Sequence, residues 1–463
     1  MTVTARRRPP PGGDEVTGTG RAVPGPGPAA MLGSIRSVLR DPLAYLRGCV
    51  AQHGPVVAFP MWKGAALLVD DPAGVRRVLQ DNHRNYTKHT FQYSALALVT
   101  GDGLLTSDGP AWRSHRRLMQ PAFHRDCLAH VAGEAVRCAA LAGAELDAAG
   151  GEPVDTDPLL MRATLDVVGR VLLGADLVHG GQADGRELVA AVHAALDGVM
   201  RRATRPWEAP PGVVTPLSRR LARANARLDA AVERVVESRR KAPGGADVLG
   251  LLLAAGEPLS AREVRDELVT LVIAGHETVA AGLVWTLRLL AEHPPAQDAV
   301  HDELDRVLGG PSGRPPGWED LAALPLTRAA VDEGLRLYPP AWLISRRAVA
   351  DDEVAGVPVA AGTLVLTSPW LQHRRPELWP DPDRFDLSRW SGGPARAQRE
   401  GYLPFGAGPR LCIGRDFAIV ESVLVLSELL RGRRVSPVGP RPPAVAGVTL
   451  RARGGSWLTV HPR

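Results

Sequence analysis

Apolar residues recur at helical spacing over one long stretch of the chain. Val264, Leu268, Leu271, Val272, Val279, Leu283, Leu287 and Leu290 follow one another at intervals that place most of them on one helix face. Ser260 and Glu263 head the stretch in the order of a capping box, where each side chain satisfies a free backbone N–H. Pro294 and Pro295 end it. The pattern predicts a helix of about 30 residues and roughly 45 Å, long enough to cross a domain. A second helix is predicted from about Pro325 to Leu337, stopped by Pro339 and Pro340, and a last one from after Cys412 to Leu430. The stretch from Trp112 to Arg240 is rich in Ala, Leu, Arg and Glu and reads as helical, broken at Gly150-Gly151 and from Pro206 to Pro216.

Strand patterns are short. Pro55 to Phe59 and Ala65 to Val69 flank a turn at Lys63-Gly64, and further strand-like pieces lie between Val349 and Thr367 around Gly356 and Gly362. Short strands, a long helical body, then mixed elements predict an α+β fold, predominantly helical. Met1 to Pro28 is rich in Pro, Gly, Thr and Arg without periodicity and is expected to be disordered, leaving 29–463 as one domain. That lead-in has no apolar core of a secretory signal, and no run of about 18 apolar residues predicts a transmembrane helix.

Composition narrows the class. The chain has 463 residues, 45% apolar and 23% charged, which excludes disordered and fibrous proteins. Its net charge of +5 is small, and 52 of its 55 basic residues are arginine. No RNP, zinc-finger or P-loop pattern turns that charge into a nucleic-acid site. The four cysteines, Cys49, Cys127, Cys138 and Cys412, form no C-x-x-C pair. They are too sparse for a disulfide framework and point to a reducing, cytoplasmic setting.

Cys412 is the chemically distinctive one. It lies in Phe405-x-x-Gly408-x-Arg410-x-Cys412-x-Gly414, just before the last predicted helix. Glycines permit close approach by a flat ligand. The helix N-terminus and Arg410 favour the thiolate, the form that binds metal. Two further patterns are Glu333-x-x-Arg336, whose side chains share a helix face, and Ala274-Gly275-His276-Glu277-Thr278 inside the long helix. There a Thr hydroxyl can bond back to the i−4 carbonyl. Trp112 and Arg116 lie four apart on one helix face. A second His at H-E-x-x-H spacing is missing after His276-Glu277, which excludes that zinc site.

Together these motifs resemble the cytochrome P-450 family, soluble bacterial type, from Trp112 to Gly414. The resemblance implies a cytochrome P-450 fold, with the long central helix over a haem and small β-sheets. It makes Cys412 the axial thiolate of heme b, with Phe405, Arg410 and Gly414 around it. Trp112, Arg116 and Arg346 are implied as propionate contacts. Ala274 and Gly275 would form an oxygen groove, Thr278 would hold a proton-donating water, and Glu277 would relay the acid. His276 falls at the variable position. Glu333, Arg336 and Arg384 would make a buried structural network supporting the cysteine loop.

The implied activity is monooxygenation of a lipophilic small molecule with O2, with a terpene or other secondary metabolite placed ahead of fatty acid, steroid or macrolide. An H2O2-driven peroxygenase and a non-enzymatic haem protein are the alternatives, and the acid–alcohol pair Glu277-Thr278 counts against both. With no flavin domain expected after Arg463, electrons from NAD(P)H would arrive through a ferredoxin and ferredoxin reductase. Arg113, Arg117, Arg410 and Arg415 would offer a basic docking face. Substrate walls are expected at Ser94–Leu105, Arg202–Pro216, the helix before Ala274, and Trp342–Ile344.

Overall fold

The computed structural model describes residues 23–61, 65–176, 194–196, 198–199, 215–241, 247–255, 259–392 and 400–463. The expected Lys63-Gly64 turn and nearly all of the 206–216 break lie outside them, as do residues 1–22 of the expected disordered lead-in. The chain divides into two compact units.

The first unit joins the chain up to Thr87 with Ile344–Ser368. It holds helices α1 (Pro28–Arg40), α2 (Pro42–His53) and α3 (Pro72–Arg76), and strands β1 (Val56–Pro60), β2 (Ala65–Val69), β3 (Tyr86–Thr87), β5 (Ile344–Ala348), β6 (Asp352–Val354), β7 (Val357–Val359) and β8 (Leu364–Thr367). Five strands form one sheet in the order β1-β2-β8-β5-β3, in which β2 runs parallel to β8. The unbroken apolar run of β2 follows from its central place: Leu67, Leu68 and Val69 are fully buried. β6 and β7 form a hairpin through Ala355 (φ 51°) and Gly356 (φ 75°), the pair of positive φ values that matches strand twist. Within the expected lead-in, the Pro24 carbonyl accepts a 2.9 Å bond from Ala58 N–H of β1.

The second unit spans Lys88–Leu343 and Pro369–Arg463. Its described helices are α4 (Phe91–Thr100), α5 (Gly109–Met119), α6 (Arg125–Ala148), α7 (Thr156–Leu172), α8 (Pro216–Lys241), α9 (Val248–Leu253), α10 (Ala261–Glu292), α11 (Pro294–Leu308), α12 (Pro325–Leu337), α13 (Pro369–Gln372) and α14 (Arg415–Arg431). Small sheets β4-β12-β9 and β10-β11 are built from β4 (Val154–Asp155), β9 (Arg433–Pro437), β10 (Ala444–Ala446), β11 (Leu450–Ala452) and β12 (Trp457–Pro462).

The long helix α10 starts on the capping box read from Ser260 and Glu263, both halves of which are formed. Most of its length is buried, so charged residues on it must find partners inside the protein. α7, α12 and α14 pack against it, and the Trp285 indole stacks on Tyr338 with ring centres 3.9 Å apart. Gly334 of α12 makes that approach possible: a Cβ there would lie 2.1 Å from Thr286 Oγ1 of α10. By length and composition alone, the helical segments Cys127–Ala148 and Ala261–Glu292 could each cross a membrane. The second is the core of this unit, with 83% of its most apolar window buried.

Candidate active site

The cysteine loop is shaped by its glycines. Gly406 (φ 71°) and Gly408 (φ 69°) take left-handed backbone angles that side-chain-bearing residues rarely adopt. The loop closes through Cys412 N–H on the Phe405 carbonyl at 3.0 Å. Cys412 keeps accessible surface. The protein packed round it removes hydration and pushes its thiol pKa up, opposed by the Gly414 N–H and the Arg116 and Arg415 charges. These opposing donors are what a bound thiolate uses.

Helix α5 presents Trp112 and Arg116 to this loop. Arg116 Nη1 donates to the Leu411 carbonyl at 2.8 Å. It is half-buried and has no carboxylate partner among the described residues, and burial lowers its pKa. Such a cation is matched to an incoming carboxylate. Arg410 sits over the Trp112 ring, 3.8 Å from its centroid. Its guanidinium is paired with Asp108 and donates to the Ser107 carbonyl at 2.9 Å. Arg410 therefore braces the loop against Asp108 rather than standing free on a basic rim. Arg346, the other expected propionate contact, lies buried on β5 of the first unit, with Nη1 on the Ser345 carbonyl at 2.8 Å.

On α10, Thr278 Oγ1 bonds back to the Ala274 carbonyl at 2.7 Å, the i−4 contact that loosens a helix turn. Glu277 is buried and its Oε1 accepts from Thr449 Oγ1 at 2.8 Å. Thr449, between β10 and β11, was not visible in the sequence, because nothing local ties it to a residue 172 positions away. Gly275 has a packing reason of its own: a Cβ there would lie 2.8 Å from Val168 Cγ2 of α7. His276 is fully buried, with Nδ1 on the Val272 carbonyl and its own carbonyl taking the Thr164 hydroxyl at 3.0 Å. It is a core residue of the α7–α10 contact.

The support network differs from expectation at one residue. Glu333 and Arg336 are fully buried and joined by two 2.8 Å bonds. The third cation is Arg389, not Arg384: Arg389 Nε lies 3.3 Å from Glu333 Oε1, and its side chain is 8% exposed. The Arg384 side chain is 66% exposed, and only its backbone carbonyl serves the network, accepting from Arg336 Nη2 at 3.0 Å. The reason is the turn entering Leu387–Trp390, which carries the chain back over α12. Asp386 N–H and the Trp390 indole N–H also reach Glu333, at 3.0 and 3.1 Å. His373 links this network to the cysteine segment: Nδ1 bonds the Arg336 carbonyl at 3.0 Å, and Nε2 accepts Leu403 N–H at 2.7 Å. Burial lowers its pKa to about 3, so the ring is neutral and can accept.

Similarity to known proteins agrees with this constellation. The family model for cytochrome P450 matches residues 23–456, and the chain belongs to that family. Cyclooctat-9-en-7-ol 5-monooxygenase of Streptomyces melanosporofaciens is 35% identical over 424 residues, covering 89% of each chain. Pentalenene oxygenase of Streptomyces avermitilis is 34% identical over 442 residues, covering 91% of this chain and 94% of its own. The heme domain of cytochrome P450DA superposes with a TM-score of 0.82 at 25% identity, over 95% of this chain and 98% of that one. The protein is thus an oxidoreductase of the monooxygenase type, and its family implies a haem whose iron takes a cysteine thiolate. The residues present fit that group: one accessible thiol with opposing N–H and cationic donors, and Arg116 lacking a carboxylate.

Proposed function

We propose that the protein hydroxylates, or otherwise oxidises, a terpene skeleton, using O2 and electrons delivered from NAD(P)H by a ferredoxin and its reductase. The cysteine loop around Cys412 carries the assignment, because it joins an accessible thiol to donors that favour its thiolate. The bound haem supplies oxygen activation, which no protein side chain can supply. Cys412 would give the haem iron its thiolate, Trp112 and Arg116 would hold a propionate, and Arg346 would serve as a propionate contact. Phe405 and Gly414 shape the loop that receives it.

On α10, Ala274 leaves room beside the loosened turn, while Gly275, the other residue of the expected groove, packs against Val168 of α7. Thr278 holds a water there, and Glu277 returns protons to it, steadied by the Thr449 hydroxyl. This acid–alcohol pair favours O2-driven turnover over direct use of H2O2. The terpene choice is supported by the relatives named for cyclooctatenol and pentalenene chemistry. The exposed pair Arg113 and Arg117, four apart on α5, with Arg415, offers a basic face to an acidic electron donor. Arg410 is left out of that face by its Asp108 pair. The free cysteines among the described residues support a reducing, cytoplasmic setting.

The test is NAD(P)H-driven turnover with a surrogate ferredoxin and reductase, after screening cyclic sesquiterpenes and diterpenes for a high-spin spectral shift. Oxygenated terpene product, with little product when H2O2 replaces the redox chain, is the expected result. A spectral shift with fatty acids or macrolides alone contradicts the substrate class.

A further inference from the structure

The segment Gly101–Asp108, between α4 and α5, lies directly on the long helix. A Cβ at Gly101 would sit about 2.1 Å from the Asp266 carboxylate, and one at Gly103 would sit 2.2 Å from Thr270 Oγ1. The two glycines are there because the backbone itself makes the contact. Two consecutive carboxylates of α10 receive it: Asp102 N–H donates to Asp266 Oδ2 at 3.0 Å, and Leu104 N–H donates to Glu267 Oε2 at 3.0 Å.

Each carboxylate has its own cation. Asp266 Oδ1 takes Arg265 Nη1 at 2.9 Å, and that guanidinium also donates to the Val99 carbonyl at 2.7 Å. Glu267 Oε1 takes His115 Nδ1 at 2.7 Å. Glu267 is fully buried and His115 nearly so. The far end of the segment is held by Arg410, through the Ser107 carbonyl and Asp108. One strap therefore runs from the long helix to the cysteine loop, and its two fastenings to α10 differ in one respect. An arginine stays charged at every physiological pH, whereas a histidine does not.

We propose that Asp266 and Glu267 are positioning residues that fasten the 101–108 strap to the long helix, and that His115 makes the Glu267 fastening pH-dependent. The proposal goes beyond the haem assignment and stands on this chain's own contacts. The charged groups facing His115 are Glu267 and, 3.9 Å from Nε2, Glu263, both on α10. Helix α9, which also packs on α5, brings only apolar residues and a glycine.

The Glu267 bond raises the His115 pKa first of all; burial opposes it, and the Glu267 and Glu263 charges add to the rise. The sign follows. The fastening is complete below the ordinary histidine pKa of about 6.5 and weakens as pH rises through the higher folded value. The Glu267–His115 bond then loses its charge assistance, roughly half its strength, and Glu267 is left as a buried anion on neutral donors. The Asp266–Arg265 fastening persists.

Hydrogen exchange of the holoenzyme, read by mass spectrometry on peptides spanning 101–107, tests this. Rates are corrected for the intrinsic pH dependence of exchange. Protection is expected to fall about three- to tenfold between roughly pH 6 and roughly pH 9. The variant H115Q should be loose at both ends of that range and lose the pH dependence. R265Q should be looser throughout and keep it. Flat protection in the wild-type chain overturns the proposal, and that measurement needs no variant. A pH dependence retained in H115Q, or abolished in R265Q, also overturns it.

Discussion

Exchanging Arg389 for Met tests the corrected support network. Arg389 and Glu333 form a buried pair, and breaking such a pair by removing one partner typically costs about 3–5 kcal/mol. Here the loss is smaller, because Glu333 keeps Arg336 and two N–H donors. Against that, Arg389 Nη2 also holds the Asp381 carbonyl at 2.9 Å, and Asp381 has an unfavourable positive φ of 49°. The expected cost of Arg389→Met is about 2–3 kcal/mol. Arg384→Met, at a largely exposed side chain, should stay within about 0.5 kcal/mol.

Urea unfolding at neutral pH, followed by tryptophan fluorescence and far-UV circular dichroism, reads the difference. The haem retained per purified chain gives a second measure. A double-mutant cycle of Glu333→Gln with Arg389→Met should show strong coupling, and the cycle with Arg384→Met almost none. The reasoning is refuted if Arg384→Met costs as much as Arg389→Met, or if Glu333 couples to Arg384 instead.

Other expectations follow from the same contacts. His373 has a folded pKa lowered to about 3, so its neutral state stabilises the fold above the unfolded value and that contribution is lost as pH falls. Between about pH 6.5 and 5 the loss amounts to about 2 kcal/mol, and His301, lowered to about 4, adds to it. His373→Gln should flatten that slope in urea titrations at stepped pH, in part but not wholly. Thr449→Val removes a donor from buried Glu277, which should cost about 1–3 kcal/mol and divert electrons from product to peroxide. Unchanged coupling of NADPH use to product would contradict the role given to Glu277. Gly334→Ala overpacks the α10–α12 contact against Thr286, at about 1–3 kcal/mol less roughly 1 kcal/mol of helix propensity. Adding Thr286→Ala should recover part of it in thermal unfolding.

The sequence was most informative where local signals agreed. The α10 helix was readable from its capping box, its apolar period and the prolines after it, and it ends within two residues of Pro294. The cysteine loop was readable because its glycines and Arg410 stand at fixed spacing from Cys412. Long-range pairing was not readable. β12 meets β4 some 300 residues earlier, and Thr156 bonds the Ser456 carbonyl at 3.0 Å, with no local pattern to announce it. The resemblance places the third partner in Pro382-Asp383-Arg384-Phe385, and Arg389 carries no local pattern of its own. The bend that turns Asp386 and Trp390 toward Glu333 depends on contacts with α12, and it brings the later arginine inward. Thr449 went unread and His373, though visible before Pro382, had no readable role, because both act through residues on distant elements.

The central claim is that Cys412 gives a haem iron its thiolate ligand. The carbon monoxide difference spectrum of the reduced holoenzyme tests it most directly. The wild-type chain should show its Soret band at the thiolate-typical position, and Cys412→Ser, if it still binds haem, should lose that band. A wild-type spectrum without the thiolate-typical band, or a Cys412→Ser spectrum that keeps it, would contradict the account.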